Sequence, residues 1–236
     1  MTDSVRNVGV LDKSVAIVDA LAAGPAALGE LVERTGLARP TVHRLAVALE
    51  AHDVLRRDEQ GRFRLGRRVL AWGRAAMGDS PLIEAAGPVL AALAEATGES
   101  AQLYVRDGAV RVCVAAADRR AGLRDTVPVG AVLALDAGSG AKALLAWTEV
   151  GELPDRVDPT ELAAVRRRGW VASVAEREAG VASVSAPVLD GPRRVVAAVS
   201  VSGPLDRLGR TPGRRFGAAV VAAARDLERA AGLAGR

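Results

Sequence analysis

The stretch Thr35–Ala51, "TGLARPTVHRLAVALEA", decides how the first third of the chain is read. Gly36 stands where a left-handed residue ends one helix. Pro40 stands in the first turn of the next, where its missing N–H costs nothing. Arg39, Thr41, His43 and Arg44 crowd the front of this second helix, and Leu45, Ala48 and Leu49 supply its apolar side. A helix of these dimensions fits the major groove of DNA, and base edges are read by side chains in its first turns. Thr41 has the reach for a phosphate or a thymine methyl, and Arg44 for a bidentate pair with guanine. Taken alone, such a helix reads more simply as a solvated surface element, so its neighbours must decide.

The neighbours favour DNA. Upstream, Leu11, Val15, Val18 and Leu21 fall at helical spacing and stop at Gly24-Pro25. A short helix over Leu28–Arg34 follows, with Leu28, Leu31 and Val32 on one face. Downstream the period changes: Val54–Arg57 and Arg62–Leu65 flank the turn Asp58-Glu59-Gln60-Gly61, which predicts a β-hairpin. From Val54 to Arg74 seven arginines face only Asp58 and Glu59. Three helices and a basic hairpin make a winged helix-turn-helix. The predicted DNA-binding set is Arg39, Pro40, Thr41, His43 and Arg44 on the helix, with Arg62 and Arg64 on the wing, where phosphate contacts fix register rather than sequence. One such module buries too little DNA for tight specific binding, so a symmetric assembly on a near-palindromic double-stranded operator is expected.

Composition narrows the alternatives. The chain has 236 residues, half of them apolar, a formal charge of +4 and a pI near 10.1. Lys13 and Lys142 are the only lysines, a bias that points to a GC-rich coding sequence. One cysteine, Cys113, excludes an intramolecular disulfide and a Cys-rich zinc site; it reads as a buried small hydrophobe. The two histidines, His43 and His52, have no carboxylate cluster near them, so no metal is expected, and no cofactor. Both lie in the winged helix, and no Gly-x-Ser-x-Gly elbow occurs, so no catalytic residue is assigned and an enzyme is not expected. No signal peptide or membrane span is visible, which predicts a soluble, cytoplasmic protein.

The remainder is α+β. A helix over Gly66–Met77 carries Val69, Leu70 and Trp72, and a break at Gly78-Asp79-Ser80-Pro81 precedes a long helix over Leu82–Thr97. Hairpins are predicted around Asp107-Gly108 and Asp190-Gly191-Pro192, an extended segment over Val127–Leu135, and helices over Ser139–Trp147, Glu161–Arg168 and Phe216–Ala231. The expected division is a DNA-binding domain over 1–65, a linker helix over 66–79 and a third part over 80–236.

The motif "TGLARPTVHRLAVALEAHDVLRRDEQGRFRLGRRVL", with "GSGAKALLAW", "GVASVSAPV" and "RVVAAVSVSGPLDRL", resembles the IclR family of bacterial transcriptional regulators along nearly the whole chain. "ESAQLY", "RVCVAAAD" and "GLRDTVPVG" look most like a branch controlling amino-acid biosynthesis, notably leucine, in high-GC bacteria. The resemblance implies a GAF-like effector domain in the C-terminal part and a homodimer or tetramer. It implies a pocket with Leu123 and Leu133 as apolar wall, Ser139, Gly140 and Ala141 at a helix start, and Ser183, Ser200 and Ser202 facing them. N–H groups at a helix start suit a carboxylate, and Ser200 and Ser202, two apart in a strand, share a face. Glu176 and Glu178 stand ahead of "GVASV" to meet an amino group. A small carboxylate or branched-chain amino acid is the implied effector; the alternative is a C-terminal domain that only oligomerises. The chain departs from the family at Gly140-Ala141-Lys142, Ser173 and Ser183, and Lys142 reads as a solvated helix residue. Trp147 and Trp170 read as core.

Overall fold

The computed structural model describes residues 9–77, 80–119, 122, 125 and 127–233. Packing divides the chain into two compact units, Met1–Asp79 and Ser80–Arg236.

In the first unit three helices, α1 (Gly9–Ala22), α2 (Leu28–Thr35) and α3 (Arg39–Ala51), precede an antiparallel hairpin of β1 (Leu55–Arg57) and β2 (Phe63–Leu65), and then α4 (Arg67–Met77). Gly36 ends α2 at φ 66°, a left-handed position that costs an L side chain roughly 1–2 kcal/mol and glycine little. Ile17, Leu21, Leu31, Val42, Leu45, Leu55 and Phe63 form the core. Ala48, expected on the packed side of α3, is exposed, and Val42 and Ala46 are buried instead. Each stands three positions before one of Leu45 and Leu49 on the helix, so the inward stripe lies one step round from the one expected.

The second unit begins with α5 (Pro81–Thr97). The strands β3 (Ser100–Asp107), β4 (Val110–Ala117), β5 (Val132–Ala134), β6 (Val171–Val174), β7 (Val181–Leu189) and β8 (Val195–Pro204) form a six-stranded sheet in the order β5-β4-β3-β8-β7-β6. All its pairings are antiparallel. The helices α6 (Ser139–Leu144) and α7 (Pro159–Arg168) interrupt the strands, and α8 (Leu205–Leu208) and α9 (Pro212–Ala230) end the unit. The fold is α+β. Of the predicted extended segment Val127–Leu135 only Val132–Ala134 pairs; β6 and α8, four residues each, are too short for periodicity to reveal.

Alternation sorts the sheet's two faces. Leu103, Val184, Val199 and Val201 pack with Leu90 of α5 and Phe216 and Val220 of α9 in the larger core. The opposite face carries Gln102, Ser183, Ser185, Ser200 and Ser202, and a smaller core there joins Tyr104 and Cys113 to Leu144 and Leu162. Burial pushes the Cys113 thiol up to about 11, so it is an inert core group. Trp147 and Trp170 are half-buried against these cores. Among the described residues no helix is long and apolar enough to cross a membrane, and no group of three His, Cys, Asp or Glu side chains is placed to hold a metal.

The Trp170 ring lies flat on α9 because Gly213 and Gly217 have no side chain. A Cβ on Gly213 would stand 1.9 Å from a ring carbon, and one on Gly217 2.7 Å. Gly213→Val should therefore destabilise the chain by about 1–3 kcal/mol in chemical denaturation, as overpacking does. Gly87→Ala, on an exposed turn of α5 with nothing within 4 Å of the added carbon, should instead stabilise by about 0.5–1 kcal/mol. Equal effects would mean that the ring contact does not set the packing.

Candidate nucleic-acid interface and effector cleft

α3 buries Val42, Leu45 and Ala46 and turns Arg39, Pro40, His43 and Arg44 to solvent, with Thr41 half-buried at the edge. The outward stripe continues through Val47, 42% exposed. The front of α3 carries no acidic residue in its first turn.

The hairpin treats its arginines unequally. Arg57 stacks over the Phe63 ring at 4.1 Å and pairs with Glu50 at 3.3 Å, so it braces β1 against α3. Arg62 is held by Asp58, Nε to Oδ2 at 2.8 Å, while the same carboxylate accepts the N–H groups of Gln60 and Arg62 and shapes the turn. Arg64 stands opposite Arg56 in the register. Both are exposed and neither has an ion-pair partner among the described residues. Like charges placed directly opposite destabilise a hairpin, so this pair is a standing cost within the unit. Arg56, counted in the basic run but not predicted as a contact, is made prominent by a register that the sequence did not fix.

In the second unit a cleft opens on the hydroxyl face of the sheet. Tyr104 of β3, Arg111 of β4 and Asp125 form one side, Gly138, Ser139 and Gly140 at the start of α6 another. Ser173, Arg177, Glu178, Val181, Ser183, Ser200 and Ser202 complete it. It is narrow, a cavity of about 30 Å³ with an open mouth. The hydroxyls form a chain. Ser139 bonds to Ser183 at 2.6 Å and to Ser185 at 2.7 Å, Ser185 donates to Ser200 at 2.8 Å, and Ser202 donates to Gln102 Oε1 at 3.2 Å. Ser185 is the member that sequence reasoning missed.

Of the predicted apolar wall only Leu133 lies among the described residues, and it does not line the cleft. Leu133 packs against the smaller core, whereas Arg111, its partner in the β4–β5 register, lines the cleft. Leu123 lies outside the described residues. Ala141 is fully buried in the same core, one residue beyond the part of α6 that reaches the cleft. Glu176 does not line the cleft either: it accepts the Gly138 N–H at 3.1 Å and the Lys142 ammonium at 2.7 Å. One N–H at the helix start is thus already taken. Lys142 is buried, 4% exposed, not solvated, and also meets Glu161 at 2.7 Å. Burial alone would pull its pKa down, but the two carboxylates outweigh it and hold the value above the ordinary lysine range.

Arg111 heads the stretch "RVCVAAAD", but no site role was expected of it. It is 3% exposed and sits 5.6 Å from the Tyr104 ring centre. Its Nη1 donates to the carbonyls of Ala134 and Ala137. Nε has no hydrogen-bond partner. Burial draws its pKa below the usual arginine value, against a smaller opposing pull from Tyr104. The signal was present in "VRVCV": an arginine at the inward position of an apolar strand. Arg177 differs, because Asp125 at 3.3 Å and Glu178 at 3.6 Å neutralise it. Burial pushes the Tyr104 phenol far above its ordinary value, so it stays neutral.

With the geometry in place, the comparisons agree on one family. Residues 10–59 match the IclR helix-turn-helix domain, and residues 74–157 and 159–229 match the bacterial transcriptional regulator IclR C-terminal domain. The HTH-type transcriptional regulator BhcR of Paracoccus denitrificans is 32% identical over 92% of this chain and 85% of that protein. The crystal structure of the Thermotoga maritima IclR superposes with a TM-score of 0.75 at 21% identity, covering 94% of this chain and 98% of that one. An IclR homologue from Microbacterium hydrocarbonoxydans, solved in complex with 4-hydroxybenzoate, superposes with a TM-score of 0.69 at 20% identity, covering 94% and 98%. The matched families and named relatives are transcriptional regulators, not enzymes. The chain belongs to the IclR family of bacterial transcriptional regulators: it is a DNA-binding regulator with an N-terminal helix-turn-helix and a C-terminal α+β domain.

Proposed function

We propose that the protein is a cytoplasmic, ligand-responsive regulator that binds a near-palindromic operator as a homodimer or a pair of dimers. The observation that carries the DNA contact is the outward face of α3 beside an uncompensated Arg56–Arg64 pair. A phosphate between those two guanidinium groups converts their repulsion into attraction, and Arg39, Thr41, His43 and Arg44 then face base edges. Apolar side chains that the unit's own core leaves uncovered support self-association. Val10, Leu11 and Val15 of α1 are 54–61% exposed, and Leu70 and Trp72 of α4 are 70% and 55% exposed. A second copy of the same chain covers such faces symmetrically.

The ligand reading rests on the cleft beside α6, with a homologue that holds an organic acid as supporting precedent. The effector is a small carboxylate. Control of leucine-type biosynthesis, with a branched-chain amino acid as effector, is the less favoured version, because among the described residues the apolar lining of the cleft is only Val181 and the Tyr104 ring. Its narrowness favours the second reading, a domain that only oligomerises. Operator affinity measured with and without small organic acids separates them: a change in affinity supports the effector, and none across the series supports oligomerisation alone.

Three substitutions test the interface by fluorescence anisotropy on cognate and random duplexes. Arg44→Ala should cost about 1–3 kcal/mol on the cognate site and less on random DNA. Arg64→Ala should weaken all sequences alike and reduce the slope of log affinity against log salt by about one. Arg62→Ala should change that slope less, since Asp58 already neutralises Arg62. A slope untouched by Arg64→Ala removes the wing from the phosphate contacts. Light scattering should show at least a dimer at micromolar concentration; a monomer binding DNA one-to-one rules out the symmetric assembly.

A further inference from the structure

The cleft contains a buried cation with no ion-pair partner among the described residues. Arg111 is buried, and no carboxylate lies within ion-pair reach of it among the described residues. A buried charge is tolerated when it is paired and hydrogen-bonded. Here Nη1 alone is used, on two backbone carbonyls, and Nε is an orphan donor. The free edge of the guanidinium, Nε with Nη2, runs along the start of α6. A Cβ on Gly138 would stand 3.5 Å from Nη2, and one on Gly140 would stand 3.7 Å from Nε. Two adjacent N–H groups on one planar edge match the two oxygens of a carboxylate. A phosphate dianion asks for a second free cation, and Arg177, the other candidate, is spent on Asp125 and Glu178.

The rest of the lining sets the chemistry of the ligand's tail. Ser183, Ser200 and Ser202 each offer one donor and two acceptor sites, and the hydroxyl chain uses only part of that capacity. A methyl or methylene group against these oxygens would strip them of water and return no hydrogen bond. A hydroxyl group on the ligand donates and accepts, and so fits the same positions. The small free space excludes a bulky tail.

We infer that the cleft takes a short hydroxylated aliphatic monocarboxylate, whose carboxylate pairs with the Nε/Nη2 edge of Arg111 and whose hydroxyls bond to Ser183, Ser200 and Ser202. This rests on the cleft being the effector site. Arg111 acts as the anion anchor, and the serine ladder rejects apolar acids of the same charge.

The test uses the full chain and defined probes: glycolate, lactate and glycerate against butyrate, isovalerate, 4-hydroxybenzoate, glycerol and inorganic phosphate. Melting temperature and calorimetric titration report binding, and operator affinity reports response. At least one hydroxylated acid should raise the melting temperature and shift operator affinity, while glycerol, phosphate and the apolar acids do not. Arg111→Gln should lower affinity for that acid by roughly ten- to a hundredfold, as loss of a charged hydrogen-bond partner does. Arg111→Lys keeps the charge but not the planar edge, and should fall between. Should Arg111→Gln fail to fold, Ser202→Ala carries the test: it should weaken the hydroxylated acid and leave butyrate unchanged. Butyrate, isovalerate or 4-hydroxybenzoate binding as well as the hydroxylated acids, with an operator response, overturns this ligand class and leaves the effector reading standing. Phosphate binding in preference to every acid overturns the carboxylate anchor. A folded Arg111→Gln chain with undiminished affinity overturns the role of Arg111. No response to any probe overturns both this inference and the effector reading.

Discussion

Side chains alternate across a strand, and in β3, β7 and β8 that alternation carries aliphatic groups to one face of the sheet and hydroxyl and amide groups to the other. Nearly everything in the C-terminal unit follows from it. Leu103, Val184, Val199 and Val201 give α5 and α9 a continuous surface to cover. Gln102, Ser183, Ser185, Ser200 and Ser202, on the opposite face, are too small and too polar to form a core. They let α6, whose residues are all buried, come close enough for Ser139 to join their hydrogen-bonded chain. A slip of one residue in register would exchange the two sets, placing hydroxyls under α9 and valines in the cleft. The register that makes the core therefore also makes the site.

In the N-terminal unit the comparable constraint is charge. The hairpin is three residues per strand, too short to be stable by itself. Phe63 anchors it from below, and Arg57, laid across that ring and joined to Glu50, ties it to α3. Asp58 closes the turn by accepting from two backbone N–H groups and the Arg62 guanidinium. Four arginines thus meet three fates on a short ribbon: Arg57 braces, Arg62 is neutralised, and Arg64 with its neighbour Arg56 is left facing outward. A count of basic residues could not separate them, because the separation depends on which carboxylates the turn and α3 bring near.

Much of the fold was legible because it is written in local patterns. The Gly36 stop, Pro40 at a helix start, the change of period after Ala51 and the turn pairs Asp107-Gly108 and Asp190-Gly191 each act within a few residues. The two faces of β8 were legible for the same reason, as Ser200 and Ser202 alternate with Val199 and Val201. The cleft's chemistry was less so. Leu133 looked like a wall because it is apolar and near the right motif, yet it packs into the smaller core while Arg111, paired with it across β4 and β5, reaches the cleft. Arg177 meets Asp125 across 52 positions of sequence, a pairing that only the tertiary fold creates. Motifs mark where a family builds its pocket; which of their side chains reach it is decided by the tertiary fold.

Lys142 shows how a residue that looks ordinary on a helix is drawn inward by its surroundings. α6 is only six residues long and wholly buried, so no face of it is left for a solvated side chain. An ammonium there must find carboxylates, and two elements supply them: Glu161 from α7 and Glu176 from the loop after β6. Glu176 also accepts the Gly138 N–H, so one carboxylate fixes both the start of α6 and the segment leading to Arg177 and Glu178. The Glu161 and Glu176 side chains keep 42% and 31% of their surface in water, which spares the pair much of the desolvation cost of a fully buried ion pair. A cation with two half-solvated partners thus holds the wall of the cleft in place. Arg111, equally buried and without an ion-pair partner among the described residues, is left to the cleft itself.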